Sequence, residues 1–190
     1  MHKKLALLGM TIVVLGACND PNALPDATEA NLTDTVTVFA IDGTPVTNPS
    51  GFSIDIGNPV RLDQFPSFDF GYNVDGTGQS LLLPPRALGM PESSLDAGLL
   101  PQGTATSGLQ WDQITVAPFD GYNTTTAVAA EVGNTFVIRS RIICTIGVPR
   151  YGKIEILEIN SAPDTLSVTF QVLLNQNCGY RGLEPGLPDI

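Results

Sequence analysis

The sequence predicts an all-β protein, an antiparallel β-sandwich or open barrel with a long irregular mid-chain connection. Three observations predict it. Short stretches alternate apolar and polar residues with a period of two, Gly- and Pro-rich turns punctuate them, and beyond residue 17 no helical stripe exceeds a couple of turns.

The chain opens on His2, Lys3 and Lys4, followed by an apolar run from Leu5 to Leu15. About eleven such residues suit the core of an export signal and fall short of a membrane-spanning helix. The run ends in Leu15-Gly16-Ala17-Cys18, which resembles a bacterial lipobox. That resemblance implies a diacylglyceryl group on the Cys18 thiol, removal of residues 1–17 as a lipoprotein signal peptide, and acylation of the new amino end. Two or three chains on one residue give a lasting hold on a membrane, where a single chain, at about 0.8 kcal/mol per buried methylene, binds only marginally. Asn19 after the modified cysteine points to the outer membrane of the cell envelope rather than the inner.

Residues 18–34 are polar, acidic and proline-bearing, and read as a flexible tether. A β-sandwich domain is expected over 35–178. In "TVTVFAI" Val36, Val38 and Ala40 share a face, "DGTP" turns the chain, and "GFSIDIG" points Phe52, Ile54 and Ile56 the same way. "FDFGYNV" repeats the pattern with Phe68, Phe70, Tyr72 and Val74 before the "DGTGQS" turn. Residues 81–108 carry many Gly, Pro and Ser residues without sustained period and read as the long connection, with room for one short strand or helical turn.

Around Trp111, "LQWDQITV" reads as a strand, "APFDGYNTT" as a loop, and "NTFVIRSRIIC" as a strand with Phe136 and Ile138 opposite Val137, Arg139 and Arg141. The best helix candidate is Ala-rich "TAVAAEVGN" at 126–134. The clearest unit is last: "KIEILEI" and "TLSVTFQVLL", joined by "NSAPD", form an antiparallel hairpin with one core face and one wetter face. Residues 179–190 read as an extended tail laid over the domain.

Composition narrows the function. Loss of residues 1–17 removes two of the nine basic residues and none of the nineteen acidic ones, leaving 173 residues with a net charge of −12. Such a surface repels nucleic acid. The only histidine, His2, leaves with the signal, and with it go His-based acid/base catalysis, Ser-His-Asp and Cys-His systems and the commonest metal ligand. No enzyme and no cofactor is expected. With Cys18 lipidated, Cys144 and Cys178 remain for an oxidising compartment to pair; they stand 34 residues apart, without the Cys-x-x-Cys spacing of a redox site.

The lipobox, the segment "FDFGYNVDGTGQS" and the closing "GNTFVIRS", "YGKIEILEIN" and "TLSVTFQVLLN" together resemble the HmuY-like bacterial surface lipoproteins, β-rich proteins that bind haem. The resemblance covers about half of the mature chain and implies a β fold and a surface location. It departs at the ligands: the family uses paired axial histidines or methionines, and after Cys18 this chain has no histidine and one methionine, Met90. A haem or small-ligand scavenger of this type would need non-His ligands such as Tyr72 or Tyr122.

Other constellations have plain readings. Asp69, Asn73, Asp75, Asp120 and Asn123 could offer oxygens to calcium, yet Asp and Asn in "FDFGYN", "NVDG" and "FDGYN" also bond their own backbone in turns, which is the favoured reading, and no metal site is assigned. "DGTG" lacks both the uninterrupted Asp-Thr-Gly and the second copy of an aspartic protease. Glu155 and Glu158, three apart on a strand, are expected on opposite faces. Arg139, Arg141 and Arg150 are expected to pair with carboxylates, the alternative being a small anion-binding patch. Trp111, Tyr122 and Tyr151 are the candidates for lining a pocket, if the loops meet. The expected partners are the membrane, through the lipid anchor, and a protein or small molecule of unspecified class.

Overall fold

In a computed structural model, residues 23–91 and 96–189 are described; Cys18 and its lipidation lie outside them. The described residues form eleven strands and two 3-10 turns. The strands are β1 (Leu32–Phe39), β2 (Gly51–Ser53), β3 (Asn58–Val60), β4 (Phe70–Val74), β5 (Ser80–Leu83), β6 (Gly98–Thr104), β7 (Ser107–Gly108), β8 (Val128–Ala129), β9 (Thr135–Arg139), β10 (Tyr151–Asn160) and β11 (Ser167–Asn175). They build two antiparallel sheets, one of six strands in the order β1-β11-β10-β9-β6-β7 and one of five in the order β3-β2-β4-β5-β8. The fold is all-β, as the alternation predicts.

One core joins the sheets. Val36, Val38, Ile154, Ile156, Val168 and Phe170 from the larger sheet meet Phe52, Phe70, Tyr72 and Leu82 from the smaller, all of them buried. Phe52, Phe70 and Phe170 stack around one point, with centroids 5.5 to 5.7 Å apart. Burying such rings stabilises by roughly 1.5–3 kcal/mol each, which is why the period-two faces carry them.

The β10–β11 hairpin forms as the alternation predicts, but a register shift between Ile156 and Glu158 makes Leu157 a bulge. The extra residue restores Ile156 and Ile159 to the core side, opposite Phe170 and Val168, and turns Glu155 and Glu158 to the same face. The expectation of opposite faces is thereby corrected. Glu155 accepts a hydrogen bond from Gln171 Nε2, and Glu158 is exposed.

Several elements differ from the sequence reading. Strand β2 stops at Ser53 and Ile54–Gly57 form a turn, so Phe52 and Ile54 are buried while Ile56 is 47% exposed. "LQWDQITV" is not a strand: Trp111–Gln113 make a 3-10 turn, closed by the Gln113 side chain accepting from Gln110 N at 2.9 Å. Its buried and half-buried residues Trp111, Ile114 and Ala117 recur every third position, a spacing that departs from the period of two of a strand. The helix expected at 126–134 is absent. Val128 and Ala129 pair with Leu82 and Leu81 of β5 instead, and nine residues interrupted by Gly133 (φ +82°) cannot offset the cost of helix nucleation.

The mid-chain connection narrows to residues 84–97, because β6 and β7 fall within 81–108 and β5 runs into its start. Strand β6 was hidden by Pro101 and by Gly98 and Gly103; a register shift between Pro101 and Gly103 accommodates the bulge. The tether also begins to fold before residue 35. Thr28 N and Glu29 N donate to Asn177 Oδ1, and Asn31, 1% exposed, donates through Nδ2 to the carbonyls of Gly182 and Glu184. Polar side chains that read as disorder here close backbone hydrogen bonds between the two ends of the chain.

Finally, the outer face of the larger sheet is not wet over its length. Val137, Tyr151 and Leu173 form a second apolar cluster with Ile114, Ala117 and Leu183, so the 109–123 loop and the C-terminal tail roof this face. The tail is held by Leu183 N to Thr115 O at 2.7 Å, and Ala117 N donates to Arg181 O at 2.8 Å.

Candidate ligand cleft on the outer face of the larger sheet

The alternation of β9 and β10 sends Val137 and Arg139, and opposite them Lys153 and Tyr151, to the outer face. Lys153 lies at the roofed end. It is 2% exposed, its Nζ donates to the carbonyls of Trp111 and Ile114 at 2.9 Å each, and it sits 4.5 Å from the centroid of the Trp111 ring. Burial lowers the Lys153 pKa below the ordinary lysine range, with Asp112 and Glu184 pulling it back. This lysine is a staple for the 109–114 segment.

At the other end the roof stops and a cleft of about 300 Å³ opens. Phe119 and Asp120 come from the loop before Tyr122, Arg139 and Tyr151 from the sheet, and Ile142, Gly147, Val148 and Pro149 from the segment joining β9 to β10. The Cys144–Cys178 disulfide holds that last wall, with Cα atoms 5.9 Å apart. Gly147 N donates to Cys144 O and Gly179 N to Pro149 O, so the wall is tied on both sides of the bridge. Such a bridge forms and persists in oxidising compartments, and it points to a location outside the cytoplasm.

Arg139 defines the floor. It is 9% exposed, its Nη2 donates to Asp96 O at 3.2 Å, and its Nε has no hydrogen-bond partner. The guanidinium lies 4.6 Å from the centroid of Tyr122, whose ring is in turn 6.3 Å from that of Tyr151. Burial pushes the Tyr122 hydroxyl well above the ordinary tyrosine range, with Tyr151 adding to the shift and Arg139 and Arg181 opposing it. Burial raises Tyr151 likewise, again against Arg139 and Arg181. Both phenols are therefore neutral, and the Arg139 guanidinium stands beside Tyr122.

Of the three expected pocket residues, Tyr151 lines the cleft, Tyr122 backs Arg139, and Trp111 is engaged at the far end with Lys153. The expected arginine pairing divides. Arg141 meets Asp69 at 3.3 Å and Arg150 meets Asp55 at 2.9 Å, whereas Arg139 makes no ion pair among the described residues. The cleft's Phe119, Val148 and Pro149 had no sequence signal, being apolar residues in aperiodic loops, and Arg181 lies in the tail.

The oxygen-rich residues are not brought together. Asp69 accepts from Ile54 N and from Arg141; Asn73 binds Asp42; Asp75 accepts from Thr77 and Gln79 in its own turn; Asn123 closes the turn to Thr126. Among the described residues no group of three or more His, Cys, Asp or Glu side chains is placed to hold a metal ion. Tyr72 is fully buried in the core with its hydroxyl 3.0 Å from Ser80 Oγ, and Tyr122 donates to Pro118 O at 2.8 Å. Neither presents a phenolate to the surface.

Fold and cleft together define a disulfide-tied, sandwich-like β domain with a partly apolar, arginine-floored mouth. Comparison with protein-family models, with curated proteins and with solved structures gives no match.

Proposed function

We propose that this protein is a non-enzymatic binding module of the bacterial cell envelope, anchored by acyl chains on Cys18 and offering the Arg139–Tyr151 cleft to a small ligand. The leader and lipobox support the address, and Asn19 favours the outer membrane. The ten steps from Cys18 to Thr28 reach at most about 35 Å, so the domain works close to the membrane surface.

The observation that carries the binding reading is Arg139. Its side chain lines the wall of an open cleft, sets its charge over the Tyr122 ring and makes no ion pair among the described residues, so an anion entering the mouth meets an uncompensated guanidinium. Detergent phase separation tests the anchor: the native protein enters the detergent phase and Cys18→Ala moves it to the aqueous phase. Aqueous partitioning of the native protein, with an unmodified thiol at position 18, would refute the anchor. A fragment library read by amide chemical shifts tests the cleft. Saturable shifts at Gly147 and Tyr151 are expected, and shifts scattered elsewhere with none at these residues would refute binding there.

A further inference from the structure

We infer that the cleft is built for a small monocarboxylate with an apolar body, its carboxylate received by Arg139. The inference rests on the binding reading above and names the ligand class. The chain has six arginines, and four of them, Arg61, Arg86, Arg141 and Arg150, hold a carboxylate at 2.7 to 3.3 Å. Among the described residues, Arg139 and Arg181 are hydrogen-bonded only to backbone carbonyls, those of Asp96 and Ala117, each at 3.2 Å. In a chain with nineteen acidic residues against nine basic ones, partners are plentiful. Of these two arginines, Arg139 lines the cleft, with its guanidinium 4.6 Å from the centroid of Tyr122.

Geometry narrows the anion. Arg139 brings a guanidinium to the cleft wall, a group whose planar donors match a carboxylate. A phosphate would bring further oxygens and charge against walls made by Phe119, Ile142, Val148 and Pro149, which offer no side-chain donors. The one acid in the wall, Asp120, is exposed, and it disfavours a second negative charge. Phe119 is 69% exposed and Ile146, beside Gly147, is 48% exposed, so an apolar body entering the mouth covers surface that water now touches.

The test uses the full mature chain, 18–190, with Cys18→Ser so that no acyl chain competes for the probe. Hexanoate, hexanamide and inorganic phosphate are titrated in turn, with the Arg139 Nε signal and the Gly147 and Tyr151 amides as readout. Hexanoate is expected to bind saturably at these positions, at least tenfold tighter than hexanamide or phosphate, and R139Q to weaken it at least tenfold. Should R139Q fail to fold, F119A on the exposed rim decides the question, weakening hexanoate several-fold. Equal binding of hexanoate and hexanamide, or tighter binding of phosphate, overturns the carboxylate assignment while the binding reading stands. No shift at the cleft with any probe or with the fragment library overturns both.

Discussion

Asp69 is a carboxylate on which burial and pairing act in opposite directions. It is 2% exposed, accepts from Ile54 N at 2.7 Å and lies 3.3 Å from Arg141. Desolvation outweighs the Arg141 charge and the backbone donors, and its pKa rises from 3.8 to about 6. The folded state therefore binds a proton more readily than the unfolded state, and this contribution to stability is full below pH 4 and lost as pH rises through 6. Between pH 4.5 and 7 the loss is about 2 kcal/mol. Urea unfolding of the wild type and Asp69→Asn at several pH values should show their difference moving by that amount against the wild type as pH rises; a constant difference would mean that Asp69 is ionised throughout. Lys153 allows a second test at this scale. Lys153→Met leaves the carbonyls of Trp111 and Ile114 without their donor, and denaturant unfolding should report a loss of about 2 kcal/mol.

At the scale of elements, close approaches show which segments depend on one another. Gly98 begins β6, and a Cβ there would stand 2.8 Å from Tyr122 Cβ and 3.2 Å from Asn123 O. The approach is needed because Leu99 and Asn123 exchange both backbone hydrogen bonds, fastening the loop that carries Phe119 and Tyr122 to the sheet edge. Gly98→Ala should cost about 1–3 kcal/mol in thermal or urea unfolding and shift the Tyr122 resonances, since the loop must move to admit a methyl. The strands with a clear period of two, β1, β4, β9, β10 and β11, were legible because each buries a full alternating face. Strand β6 was not, because a proline and two glycines interrupt its period, and the Leu157 bulge left no mark in the sequence because bulges are chosen by pairing rather than by residue type.

For the whole molecule, the disulfide joins the segment before β10 to the segment after β11, and the cleft wall stands on it. Cys144→Ser with Cys178→Ser should lower stability by roughly 3–4 kcal/mol on the loop-entropy account, and alkylation of the folded wild type should find no free thiol at either position. The same double variant should weaken ligand binding more than its global stability requires, because Ile142, Val148 and Pro149 lose their tie. The network of Asn31, Asn175 and Asn177 fastens the start of the domain to its end, with Asn175 Nδ2 donating to Gly182 O at 3.0 Å and Asn177 Nδ2 to Glu29 O at 2.7 Å. A polar end segment thus becomes part of the fold.

The sequence by itself determined the all-β class, the main hydrophobic faces and the cysteine pair, because local period, turn chemistry and a count of thiols carry that information along the chain. The tertiary structure alone decided that the outer face of the larger sheet is roofed, that among the described residues Arg139 stays without a carboxylate while Arg141 and Arg150 find theirs, and that loops far apart in sequence meet as a cleft. Those outcomes depend on which residues come close in space, and aperiodic loops carry no local signal of the surface they will cover.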